Sequence, residues 1–196
     1  MQSDLSAWFG EVSKALDSQV SLRDGMQALL AYCNEQHPWR GWGKIGGLDF
    51  EADVARLGTW LNGVLKKEPP PDSVIAYWFG IYNPVYDRQA SCDAYIAGTK
   101  KFDPGDESFQ WACNPVYFPA GKYAHSKVLD QIYRAVNKSP VSAMGEYTLC
   151  LGYTAFAVRE LVRRTDKDLL LGKSDQRGLA VGFDSGDGVV LEAVSR

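Results

Sequence analysis

Only two histidines, His37 and His125, occur in the chain, and its four cysteines, Cys33, Cys92, Cys113 and Cys150, form no Cys-x-x-Cys pair. A zinc centre needs three or four Cys, His or carboxylate ligands to converge, and neither histidine has a second one at ligand spacing. No metal site is therefore expected. Widely spaced cysteines among apolar neighbours read as buried free thiols rather than as a disulfide framework. The Gly-x-Ser-x-Gly elbow of serine hydrolases is absent. So is any run approaching the roughly 18 apolar residues of a membrane span. The start, Met1-Gln2-Ser3-Asp4-Leu5, lacks the basic head and apolar stretch of a secretory signal. A cytoplasmic location with no membrane partner is the expectation.

A positive charge excess is also missing. The 21 Lys and Arg stand against 24 Asp and Glu, a formal net charge of −3. Neutralising phosphates needs a concentrated basic field, so nucleic acid is not an expected partner. What the chain does have is apolar mass: 45% hydrophobic residues, with 6 Trp, 10 Tyr and 8 Phe in 196 residues. That is enough to bury a continuous core without metal or disulfide staples. One domain over residues 1–196 is expected, with a helical part over 1–68 and the remaining elements over 72–196.

Apolar residues recur at helical spacing three times in the first third. Leu5, Trp8, Phe9, Val12 and Leu16 make one stripe, and Leu22, Met26, Leu29, Leu30 and Cys33 a second, behind a Ser21/Asp24 capping pair. Phe50, Val54, Leu57, Leu61, Val64 and Leu65 make the third. Pro69-Pro70-Pro71 then stops any helix. Val74 to Tyr82 carries no charge on either alternate set, which predicts a central strand covered on both faces. Cys92 to Ala97 and Phe109 to Cys113 read as further strands, paired antiparallel because the connections are short. Ser126 is placed to cap a helix through Val136, and a longer helix over 141–164 is apolar nearly all round from Tyr147 to Val158. Two apolar runs flanking Asp184-Ser185-Gly186-Asp187-Gly188 predict a C-terminal β-hairpin. The fold class is α+β: N-terminal helices, a small mainly antiparallel sheet, a buried central helix and the hairpin.

Gly41-Trp42-Gly43-Lys44-Ile45-Gly46 matches the literal G-x-G-x-x-G string of dinucleotide folds, but it follows a helix and Pro38 instead of a buried strand. It reads as a glycine-rich connector anchored by Trp39 and Trp42, and no cofactor is expected. Asp184 and Asp187 read as turn aspartates bonded to their own backbone. Asp49, Glu51 and Asp53 suit the positive end of a helix, and Arg159, Arg163, Arg164 and Lys167 the negative end of another. Asn83-Pro84-Val85-Tyr86 recurs as Asn114-Pro115-Val116-Tyr117, each copy after an expected strand.

The leading functional expectation is a non-enzymatic protein-binding protein, in its most specific form a bacterial immunity protein that neutralises a partner toxin. Binding would rest on Trp39, Trp42, Tyr86, Tyr117 and Tyr123, with acidic residues steering a basic partner. No catalytic residue is assigned. The first alternative is a small hydrolase or transferase with a non-contiguous site drawn from Cys92, Cys113, His125, Asp184 and Asp187. The second is an anion or nucleic-acid binder using Arg159, Arg163, Arg164 and Lys167.

Overall fold

Pro69, Pro70 and Pro71 separate the helical first third from the segment that begins the sheet. The structure, a computed structural model, describes residues 2–86 and 89–196, without the side chains of residues 2–4 and 86. Helices α1 (Gln2–Asp17), α2 (Leu22–Gln36) and α4 (Phe50–Lys67) are the three stripes read from periodicity. Ser21 and Asp24 cap α2 as their spacing requires: Asp24 N donates to Ser21 Oγ at 3.1 Å. The short helix α3 (Trp42–Gly46) takes up the glycine-rich string.

Among the described residues, β1 (Ala76–Tyr82), β4 (Asp93–Thr99), β5 (Tyr123–Ala124), β6 (Gln176–Phe183) and β7 (Gly188–Ser195) form a five-stranded sheet in the order β5-β4-β1-β6-β7, and a separate two-stranded ribbon pairs β2 (Val85–Tyr86) with β3 (Gln89–Ala90). Strand β1 is central, as its charge-free sequence requires, and pairs antiparallel with β4. Its other neighbour, β6, runs parallel to it, in a sheet that is otherwise antiparallel. Strand β7 closes the expected hairpin with β6, and β5 extends the β4 edge.

One expected strand is not one. Residues 110–112 form a 3-10 turn, preceded by Phe109 in the left-handed region at φ +52°. The alternation of Phe109 and Trp111 resembles a strand, but Asp106 takes the place of a partner strand, accepting from the backbone of Ser108 and Gln110, each at 3.0 Å. Helix α5 (Lys127–Val136) starts at the Ser126 cap, whose Oγ accepts from Leu129 N at 3.0 Å. The long helix read over 141–164 comprises α6 (Ser142–Gly145), a π-helical turn over Glu146–Cys150 and α7 (Leu151–Arg164). Helix α7 packs on β1, β6 and β7 on one side and on α1, α2 and α4 on another, which explains its nearly continuous apolar sequence. A short α8 (Lys167–Leu171) precedes β6.

Two buried polar networks tie these layers together. Asp53, fully buried, accepts from Arg56 at 2.7 Å, Tyr153 Oη at 2.6 Å, Lys127 N at 3.0 Å and Ser126 Oγ, so one carboxylate links α4, α5 and α7. Arg177, also fully buried, donates to Tyr77 Oη at 2.6 Å and to the carbonyl of Leu170 at 3.0 Å, joining β6, β1 and α8. Burial pushes the Tyr77 phenol up to about 12, partly countered by Arg177, and pushes the Cys33 thiol up to about 12. Both groups are neutral when protonated, and their folded pKa values lie above the ordinary 10.0 and 9.0. Their contribution to stability is therefore complete below pH 9 and is lost as pH rises toward 12. Urea unfolding followed from pH 8 to 12 is expected to show that decline, and Tyr77→Phe to make it shallower above pH 10 without abolishing it, since the Cys33 contribution spans the same range.

Candidate functional site

On the face of the sheet away from the helices, a second small core forms around Ala76, Trp78, Ala97 and Ala180, with Phe109 and Trp111 laid over it. Strand alternation selects this set, since residues two apart share a face. Glycines make the close fit. A Cβ on Gly80 would lie 2.1 Å from the Tyr95 ring, and one on Gly182 would lie 2.3 Å from the Trp78 ring. These rings rest directly on backbone, a position that any larger residue would deny them.

The segment over 100–118 covers part of this face and is held in an unusual shape. Asp106 organises its turn, and the hydrogen bond from Ser108 holds the Asp106 carboxyl below its ordinary value. Phe109 and Asn114 both adopt positive φ, +52° and +59°. Neither is a glycine, and such conformations cost on the order of 1 kcal/mol each and concentrate at functional sites. Between them the chain leaves the sheet partly bare. The result is a cleft of about 650 Å³ bounded by β1, β4, this segment and the β6–β7 turn. That volume falls in the range of roughly 300–1,000 Å³ typical of ligand sites.

Trp78, Tyr95, Phe109 and Phe118 supply aromatic lining, and Cys113 and Asp184 add a thiol and a carboxylate. Tyr95 Oη donates to Asp184 Oδ1 at 2.7 Å. Burial raises the Tyr95 pKa, and the hydrogen bond to Asp184 raises it further, so the phenol remains a donor. Among the described residues, the second Asp184 oxygen has no hydrogen-bond or ion-pair partner and no Lys or Arg lines the cleft. Beside the mouth, Phe118 is 49% exposed and Tyr123 is 52% exposed, with the Lys122 ammonium over both rings at 4.2 and 4.7 Å. Tyr123 also packs on Tyr82 and Tyr95, at centroid distances of 5.0 and 6.1 Å.

The residues expected to bind a partner separate into different environments. Tyr123 stands at the cleft mouth. Tyr117 does not: it is buried, and its hydroxyl donates to the Glu68 carbonyl at 2.8 Å. Trp42 is buried, with Nε1 donating to the His37 carbonyl at 3.0 Å, and half-buried Trp39 packs edge-on against it at 4.9 Å. These two indoles anchor the glycine-rich connector; Trp39 lies directly over Gly41. Trp42 and Tyr117 thus serve internal packing, a correction to the expected binding set. The Tyr86 side chain lies outside the described residues. The two Asn-Pro-Val-Tyr copies diverge accordingly: Asn83 donates to Glu146 at 2.7 Å, whereas Asn114 lines the cleft.

Of the pool drawn up for catalysis, Cys113 and Asp184 reach the same cleft. His125 does not line it; its Nδ1 lies 2.7 Å from Asp93 Oδ1. Cys92 is buried beside Cys150, where burial raises its pKa, so no thiol-imidazole pair is assembled from these residues. Asp184 also departs from expectation in bonding Tyr95 across the sheet instead of its own turn. Among the described residues no three His, Cys, Asp or Glu side chains converge as a metal centre, and no helix is long and apolar enough to cross a membrane.

The basic residues at the end of α7 line a different groove, of about 380 Å³, between α1, α7 and β7. Arg159 there donates to the carbonyls of Leu16 (3.0 Å) and Val20, and Arg163 to Gln19 at 3.0 Å. Arg164 lies outside this groove and pairs with Glu51 and Glu160, each at 3.2 Å. These side chains fasten helices together, so the aromatic cleft is the stronger candidate. Trp78 and Tyr95 stand outside the residues expected to bind, and their signal in the sequence is Gly80 and Gly182 inside strands, which marks close approach to backbone. Comparison with protein-family models, with curated proteins and with solved structures found no match to this chain.

Proposed function

We propose that this chain is a binding protein that engages another protein through the aromatic cleft and its mouth. The observation that supports this reading most directly is the cluster of Phe118, Tyr123, Tyr82 and Tyr95 at one end of the sheet, with two of its rings about half exposed. Large aromatic side chains beside a concave site are the usual energetic centres of protein interfaces, because they bury area at low entropic cost. Asp184 lines the cleft and Asp106 bonds its lining residue Ser108, and these two carboxylates outnumber the Lys122 ammonium beside the mouth, which favours a partner with a basic face. In its most specific form the partner is a toxin that this protein occludes, which co-expression of the two in one cell would reveal as protection.

The test places a photo-crosslinking residue at Phe118 or Tyr123 in the native host, with Ile75, exposed just before β1, as the control position. A single protein is expected to crosslink from the first two positions and not from Ile75. The double variant Phe118→Ser/Tyr123→Ser is expected to weaken that complex by at least about tenfold, measured at a temperature well below its own, somewhat lowered, unfolding midpoint. Equal crosslinking from all three positions would overturn the reading.

A further inference from the structure

We infer that the cleft receives an arginine side chain of the partner, with its guanidinium on Asp184; this rests on the protein-binding reading above. The carboxylate is the starting point. Asp184 is fixed by Tyr95 through one oxygen and has no cationic partner among the described residues for the other. Covering it with an apolar group would strip its water and give nothing in return, and covering it with an anion would add repulsion. A cation satisfies both requirements.

The walls narrow the choice of cation. Of the aromatic lining, Trp78 and Phe109 are buried and Phe118 already carries Lys122 over its ring, so the half-buried Tyr95 ring beside Asp184 is the face that attracts a guanidinium by charge and by stacking. Arginine also brings five donors in a rigid fork. The remaining lining offers Ser185, Asn114 and Gln110 as further acceptors in the same cleft. A lysine ammonium would use the carboxylate but has no planar group to lie against that ring. The backbone at Phe109 and Asn114, held at positive φ, positions two of these lining residues before any partner arrives. Tyr95 is a positioning residue here, because it acts through Asp184.

The experiment titrates the full chain with the peptide Ala-Arg-Ala, and with counterparts carrying citrulline or lysine in place of arginine, following backbone amide shifts by NMR. Arginine is expected to shift residues 109–114 and 184, and to bind at least about tenfold more tightly than citrulline, its neutral isostere, and more tightly than lysine. Asp184→Asn is expected to abolish the arginine-to-citrulline preference with no change in unfolding midpoint, since Asp184 is exposed. Tyr95→Phe should narrow the same ratio without altering citrulline affinity, which loss of packing alone would not do. Equal binding of arginine and citrulline, a preference that survives Asp184→Asn, lysine binding as well as arginine, or shifts that map to the groove beside β7 would each overturn the inference. The two readings fail separately. Crosslinking to a partner without arginine preference removes only the inference. Arginine preference without any crosslinked protein removes the protein-binding reading and leaves a cleft for a free guanidinium compound.

Discussion

Replacing Asp53 by alanine is expected to lower the unfolding free energy by about 3–5 kcal/mol, the range for removing one partner of a buried charged network. The size follows from what is left behind. Ser126 Oγ, Tyr153 Oη and Lys127 N all donate to this one carboxylate, and all three would be stranded in a region from which water is excluded. The Tyr153 phenol cannot escape by ionising, since burial, the largest cause of its raised pKa, persists when Asp53 is removed. Asp53→Asn keeps an acceptor oxygen for the Ser126 and Tyr153 hydroxyls but turns an NH2 toward Lys127 N and Arg56, whose side chain is 45% exposed and can turn to water. It should cost roughly half as much. Urea unfolding at pH 7 measures both; a loss below about 1 kcal/mol for Asp53→Ala would mean that solvent reaches the network.

Trp78→Ala is expected to be comparably damaging, at about 3–5 kcal/mol, because it empties the centre of the second core. Trp78 is 5% exposed and meets Phe109 and Trp111 at centroid distances of 5.4 and 6.2 Å. Its removal would leave Gly182 uncovered and withdraw the support beneath the strained Phe109 turn. Thermal unfolding should show a lowered midpoint. Near-ultraviolet circular dichroism should show loss of the coupled aromatic signal. Trp78→Phe, which keeps a smaller ring on the same face but loses the outer indole edge that lies over Gly182, is expected to fall between Trp78→Ala and the unaltered protein. If Trp78→Ala left the near-ultraviolet spectrum intact, the segment over 100–118 would have to be held by something other than this ring stack.

Much of the architecture is legible in the sequence because it depends on local rules. The periodicity of Leu22, Met26, Leu29 and Cys33 needs only one helix to interpret, as do the caps at Ser21 and Ser126. The absence of charge from Val74 to Tyr82 is enough to place that strand centrally. What escaped the sequence is set by groups far apart along the chain. Asp53 reads as a favourable charge at a helix start; that it meets Tyr153, 100 positions later, is a property of the packed state. Asp184 likewise reads as a turn residue until Tyr95 is brought beside it by β4 and β6 flanking β1. Phe109 to Cys113 misled for a related reason: alternation of apolar residues is the same in a strand and in a tight turn pressed onto a sheet, and only the Asp106 contacts distinguish them.

The parallel pairing of β1 with β6 joins Ala76 to Gly178 and Ile81 to Phe183. During synthesis, therefore, the most apolar strand in the chain emerges from the ribosome with one edge open and stays open until about a hundred further residues have been made. Its antiparallel neighbour β4 arrives early and can cover only the other edge. A growing chain in that state presents unpaired backbone on Ala76 to Ile81, the kind of surface that pairs with another copy or calls on a chaperone. Slow translation over 100–175 would prolong that exposure, whereas rapid completion of β6 would end it.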